Sequence, residues 1–169
     1  NRRGLRIILA QQPVSAPYLL GFRLALAQGL EQLGDIAEAR DTYEAIMPGL
    51  AGLYGPSNPS VLEAWISLAG ASSKLGRPER SLEIYRHIRS IFAADSTLDD
   101  LPLASASVNM AMLLCDRAGA GRSAQSDTAL ALSREAETIT RRRGMTGVDL
   151  SIGLEALGTQ LKLHGLRGE

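Results

Sequence analysis

Glycine residues that close helical patterns recur along this 169-residue sequence at a nearly constant spacing. Gly34, Gly76, Gly119 and Gly165 follow one another at intervals of 42, 43 and 46 residues. Glycine commonly ends a helix because it adopts the left-handed conformation at little steric cost. Self-similarity with a period of roughly 20–50 residues indicates a stack of repeated units. The spacing therefore predicts a helical repeat protein.

Each repeat contains two segments whose apolar residues recur at helical spacing. The predicted helices span residues 18–33, 36–53, 60–75, 78–93, 103–118 and 126–143. We call the first helix of each repeat first-type and its partner second-type. In the first helix, the predicted apolar stripe consists of Leu19, Phe22, Leu26, Leu30 and Leu33. Short connections make consecutive helices antiparallel neighbours, so the expected fold is all-α, built from helix–turn–helix repeats.

The chain is predicted to be a single domain, which the repeat spacing divides into three repeats and two terminal segments. Residues 1–16 are expected to contain the end of a preceding second-type helix, over 5–12, and a linker. Residues 17–59, 60–102 and 103–147 are the three predicted repeats, and residues 148–169 contain a last first-type helix over 148–164. This helix either caps the stack or belongs to an array that continues in a longer protein, and the sequence leaves both open.

The first-type helices share one arrangement of residues around a small central side chain. The matching positions are Arg23, Leu26, Ala27 and Leu30, then Trp65, Leu68, Ala69 and Ser72, then Ser107, Met110, Ala111 and Leu114, then Leu154, Leu157, Gly158 and Leu161. Second-type helices add the pairs Ala39 with Tyr43, Ser81 with Tyr85, and Ala129 with Ser133. The arrangement resembles the tetratricopeptide repeat family, whose pattern is W-x2-L-G-x2-Y and then A-x3-F. Departures are the missing aromatics at Ser72 and Ser133 and the longer loop after Gly119. The repeat length and the linker of residues 54–59 are similar to the longer repeats of kinesin light chain-type proteins.

This resemblance implies a right-handed α-solenoid whose concave face, lined by first-type helices, binds a peptide or another protein. The positions implied for that face are Leu24, Gln28, Glu31, Glu63, Ile66, Ser73, Lys74, Ser105, Asn109, Met112, Asp116, Glu155, Thr159 and Lys162. Asn109 is the preferred single binding residue, and a structural hydrogen bond between repeats is an alternative of at least equal weight. The carboxylates on this face argue against a clamp that holds the ligand's own carboxylates.

The expected function is a scaffold or adaptor domain of a larger protein. Two alternatives stay open: a regulatory domain that responds to a peptide, and a self-association module that forms a homodimer through the last helix. Compactness measured with and without a peptide would separate the scaffold from the regulator.

Charge and composition argue against the other function classes. The chain has 18 basic and 18 acidic residues, whereas nucleic-acid binders usually carry a basic excess. No apolar run reaches the roughly 18 residues that a membrane-spanning helix needs, so no membrane association is expected and a cytoplasmic location is preferred. The two histidines, His87 and His164, lie in different repeats with no ligand cluster, so we expect no enzyme, no metal and no cofactor. Cys115, the single cysteine, is predicted to be a small buried residue.

Overall fold

A computed structural model of the protein describes residues 17–118 and 124–144, and these residues form helices and turns without a strand. The helices are α1 (Pro17–Gln32), α2 (Ile36–Tyr54), α3 (Pro59–Lys74), α4 (Pro78–Ala94), α5 (Leu101–Ala118) and α6 (Ala124–Arg142). Every predicted helix in the described ranges is present, with each end within about two residues of its expected position. The helices predicted at 5–12 and 148–164, together with Gly119 and Gly165, lie outside the described residues.

The described helices belong to two compact units that divide between Arg77 and Pro78. In the first unit α1 packs against α2, and α2 packs against α3. In the second unit α4 packs against α5, and α5 packs against α6. Each unit therefore has the packing between sequence neighbours that stacked helical hairpins require.

Small residues occupy the centre of each first-type helix, where helices must approach one another closely. Ala27, Ala69 and Ala111 are fully buried, at 0% exposure each. Tyr43 and Tyr85, the aromatic residues at the motif position of the second-type helices, are buried as well. A large side chain beside a small one fills the groove between neighbouring helices, which produces the dense packing typical of protein interiors.

The stripe predicted for α1 was wrong at two positions. Leu19 and Leu30 are buried, but Phe22 is 47% exposed and Leu33 is 70% exposed. Leu33 follows the end of the helix, so it no longer shares the buried face. Successive residues turn by about 100° around the helix axis. The packed face includes the buried residues Leu20 and Ala27, and Phe22 lies outside it.

Two glycine turns close the first-type helices of the first unit in the same way. Gly34 and Gly76 have φ angles of 81° and 70°. The amide of Asp35 donates to the carbonyl of Leu30 at 2.9 Å, and the amide of Arg77 donates to that of Ser72 at 2.9 Å. This six-residue bond beside a left-handed glycine is the Schellman arrangement, and it satisfies carbonyls at the helix end. The predicted helix-ending role of both glycines is confirmed.

Side-chain caps begin the next first-type helices. The carboxamide oxygen of Asn58 accepts a hydrogen bond from the amide of Ser60 at 3.0 Å, with Pro59 in the first turn of α3. A carboxylate oxygen of Asp99 accepts from the amide of Leu101 at 3.0 Å at the start of α5. Such bonds satisfy amides that have no partner inside the helix, so both linkers define where the following helix starts.

Gly49 in α2 lies where the two helices of the first hairpin approach each other closely. A Cβ atom at Gly49 would lie 2.9 Å from one methyl carbon of Leu20 and 3.1 Å from the other. Leu20 is only 1% exposed, so its methyl groups have little room to move. We expect Gly49→Ala to be about 1–3 kcal/mol less stable than Gly52→Ala in urea unfolding. Gly52 is the matched control on the same helix, because nothing lies within 4 Å of a Cβ there. Equal stability of the two variants would contradict this close contact.

Ser81 carries a buried hydroxyl group in α4, and the hydroxyl has no hydrogen-bond partner among the described residues. The hydroxyl of Ser72, also fully buried, instead donates to the carbonyl of Leu68 at 2.8 Å. Burial of a polar group without a partner costs about 1–3 kcal/mol, so Ser81→Ala is expected to raise the free energy of unfolding by about 1 kcal/mol. Ser72→Ala, which receives the same gain in helix propensity, should give a smaller increase or a loss. Thermal and urea unfolding of both variants would check the difference, and a larger gain at Ser72 would refute it.

Candidate peptide-binding surface

The predicted binding residues within the described helices all remain accessible to solvent to some degree. Gln28, Glu63, Lys74 and Asp116 are exposed, and Leu24, Glu31, Ile66, Ser73, Ser105, Asn109 and Met112 are half-buried. Each lies on a first-type helix, on α1 and α3 in the first unit and on α5 in the second. Glu155, Thr159 and Lys162 lie outside the described residues.

In the first unit, two of these residues form an ion pair between α1 and α3. The ammonium of Lys74 lies 3.1 Å from a carboxylate oxygen of Glu31. The other carboxylate oxygen of Glu31 accepts a longer hydrogen bond, 3.4 Å, from the hydroxyl of Tyr43 on α2. Glu31 therefore connects three helices, and the charge of Lys74 is offset by a neighbour within the protein. The sequence alone places Tyr43 only in the repeat pattern. The hydrogen bond between its hydroxyl and Glu31 is visible only in the tertiary structure.

The buried position of Tyr43 changes its acidity. Burial is the main cause that raises the pKa of its hydroxyl, because the phenolate form would lose solvation. A hydrogen bond with Ser67 lowers that pKa in part, while the negative charge of Glu31 raises it. The hydroxyl consequently stays protonated and continues to donate to Glu31 well into the alkaline range.

In the second unit, the preferred residue Asn109 has a local hydrogen bond. Its side-chain nitrogen donates to the carbonyl of Ser105, one turn earlier on α5, at 2.9 Å. This bond uses one of the two N–H groups, so the carboxamide oxygen can still accept and the second N–H can still donate a hydrogen bond to a partner. Met112 packs beside a buried cluster of α5 and α6 residues that includes Val108 and Ile139.

A polar network that was not predicted connects all three helices of the second unit. The guanidinium of Arg89 on α4 donates to the hydroxyl of Ser107 on α5 at 2.8 Å and also to the carboxylate of Glu135 on α6. The Ser107 hydroxyl donates to the same carboxylate at 2.7 Å. Ser107 occupies the motif position that Arg23 and Trp65 fill in the earlier repeats, and the small side chain leaves space for Arg89. The small polar residue at this motif position is the feature of the sequence that could have indicated this network.

The arginine cluster at the end of α6 forms ion pairs within the protein. Arg141 lies 2.7 Å from Glu137, one turn earlier on the same helix. The Nε of Arg143 donates to Asp100 at 2.5 Å, and its terminal nitrogen lies 2.8 Å from Asp99. These contacts join the end of α6 to the linker before α5. The charges of Arg141 and Arg143 are therefore offset by carboxylates of the protein itself.

The described residues contain no arrangement suited to metal chemistry. No group of three or more His, Cys, Asp and Glu side chains in them could hold a metal ion. His87 lies on the surface of α4, and Cys115 is buried as predicted. Burial, and secondarily the charge of Asp116, raises the pKa of the Cys115 thiol, which disfavours the reactive thiolate. No helix in the described ranges combines the length and the apolar character needed to cross a membrane.

Comparison with known proteins supports the fold. The chain is similar to a crystal structure of nearly identical TPR-like repeats assigned to a kinesin light chain of Podosopora anserina. The TM-score is 0.70 at 18% sequence identity, and the similarity covers 98% of this chain and 76% of that one. No protein-family description and no curated protein matches the sequence. The chain therefore has the all-α fold of tetratricopeptide-like repeats.

The acidity of Tyr43 predicts a loss of stability at high pH. Its pKa is higher in the folded protein than in the unfolded chain, where it is about 10. The stabilising contribution is therefore complete below about pH 10 and is lost as the pH rises through the folded-state pKa. We expect the free energy of unfolding of the wild type to fall more than that of Tyr43→Phe between about pH 8 and about pH 11. Urea unfolding of both proteins across this range is the measurement, and parallel declines would show that Tyr43 makes no such contribution.

Proposed function

We propose that this chain is a scaffold or adaptor domain that binds a peptide or protein segment along its first-type helices. The observation that carries the proposal is the exposure of the predicted binding positions. None of those in the described helices is buried, although Ala27, Ala69 and Ala111 on the same helices are completely buried. Each helix thus has one face that holds the fold and another whose side chains are available to a partner.

The ligand we propose is an extended or helical segment with neutral polar or basic groups. Glu63 and Asp116 are exposed carboxylates, whereas Lys74 already pairs with Glu31. A clamp for carboxylates needs cations that are free to bind them, and this surface offers few. Half-buried Leu24 and Ile66 can add apolar contacts, which supply affinity where they are desolvated.

The repeat fold supports this proposal. Repeat stacks present several helices in parallel, so one partner can make contacts with several repeats at once. The repeats of the similar structure are assigned to a kinesin light chain. We extend only the general role of an interaction scaffold to this chain.

The test compares two variants with matched changes. The binding-face variant combines Gln28→Ala, Glu63→Ala and Asp116→Ala, all on first-type helices. The control variant combines Gln125→Ala, Glu44→Ala and Glu83→Ala, which are exposed residues of second-type helices. Each variant therefore loses one carboxamide and two carboxylates. The three proteins are immobilised, exposed to a lysate of the source cells, and their bound proteins are quantified by mass spectrometry.

We expect the wild type and the control variant to retain the same partner, and the binding-face variant to lose about 90% of it, since truncating one central contact already costs about 1–2 kcal/mol. Circular dichroism and thermal unfolding would establish that both variants fold. Equal recovery by all three proteins would contradict the first-type surface. Binding that improves when a peptide ligand has a free rather than an amidated carboxyl terminus would contradict the proposed ligand chemistry. A chain that recovers only copies of itself would favour the self-association alternative.

A further inference from the structure

The second unit contains a cavity that the predicted peptide-binding residues do not line. It has a volume of about 340 Å³ and lies between the end of α4, the linker of residues 95–100, α5 and α6. Its apolar lining consists of Phe92, Leu98, Leu103 and Ile139. Phe92 and Ile139 are almost fully buried, whereas Leu98 and Leu103 are half-buried. The cavity therefore has a solid apolar base formed from three helices and a linker.

The carboxylates at the rim of this cavity are already neutralised by other residues. Glu135 accepts hydrogen bonds from Arg89 and from the Ser107 hydroxyl. Asp100 accepts a hydrogen bond of 2.5 Å from the Nε of Arg143. Neither carboxylate is thus available as the main partner of a cation, because each already has a close guanidinium.

Among the described residues, Arg142 is the residue at the rim whose guanidinium has no close carboxylate partner. Its side chain is 68% exposed, and its one ion pair within the described residues is a 3.6 Å contact with Asp100. That distance exceeds the range of a hydrogen bond. A guanidinium carries five N–H donors in a planar fork that matches a carboxylate. Within the described part of the chain, the cavity thus combines an apolar base with one lining cation, Arg142, that can still bind an anion.

We propose that this cavity binds a small carboxylic acid with an apolar body, with the carboxylate on Arg142 and the body against Leu98, Leu103 and Ile139. The volume is at the small end of the range for ligand pockets, about 300–1,000 Å³. That size fits one ring with a short chain. The site is independent of the proposed peptide-binding surface, so either one can fail without the other.

The experiment is an NMR titration of the isotope-labelled chain with three probes that share one apolar body. The probes are 4-phenylbutyrate, its uncharged amide and the corresponding amine. We expect the acid to give saturable shifts at the backbone amides of Leu98, Leu103 and Ile139 below about 1 mM. The amide should bind about tenfold more weakly, since it loses a charge-assisted hydrogen bond. Absence of saturable shifts with the acid, or tighter binding of the amine, would overturn the proposal.

Three variants separate the cavity from general surface charge. Arg142→Gln should weaken binding of the acid about tenfold and leave the amide unchanged. Arg141→Gln is the matched control, because Arg141 is also exposed and pairs with Glu137 on its own helix. Thr138 is an exposed residue that lines the cavity, and Thr138→Trp should abolish binding of both acid and amide by filling the opening. Equal losses at Arg141 and Arg142, or unchanged binding in Thr138→Trp, would overturn the assignment.

Discussion

The close approach of neighbouring helices at small residues is the constraint on which the rest of this structure depends. A single helical hairpin cannot bury both of its faces, so each must pack tightly against the next. Ala27, Ala69 and Ala111 are fully buried, and Leu20 occupies the space above Gly49. Larger residues at these positions would separate the helices, and the apolar surface between them would again contact water. The short repeat motif is thus a packing requirement rather than a chemical signature.

Polar contacts then hold together the places where the motif is incomplete. The third repeat has Ser107 where the second has Trp65, and the guanidinium of Arg89 enters that space to reach Glu135. At the end of the third repeat, Arg143 forms ion pairs with Asp99 and Asp100 and so connects α6 to the linker before α5. Partly exposed ion pairs contribute only about 0–1 kcal/mol each. Their larger effect is to determine how α6 lies against the linker and to shape the cavity beside it.

Each described first-type helix has one face that packs in the core and another that is exposed to solvent. The described helices present exposed carboxylates and carboxamides on the side that the alanines do not use, and they include no cluster able to hold a metal. The exposed polar side chains support the proposed recognition of another chain. The crystal structure of similar TPR-like repeats supports the fold at 18% identity, and function rests on the residues themselves.

The sequence by itself determined the helices, the glycine turns and the buried alanines, because periodicity and capping act over a few residues. It misplaced Phe22 and Leu33, since the exact rotation of a packed face depends on neighbours. Only the tertiary structure decided which charges pair. The separation along the sequence is 43 residues for Lys74 and Glu31, 46 for Arg89 and Glu135, and 43 for Arg143 and Asp100. Each separation is about one repeat, because stacking brings equivalent positions of successive repeats together in space, and no local pattern reveals which of the many charged residues will meet.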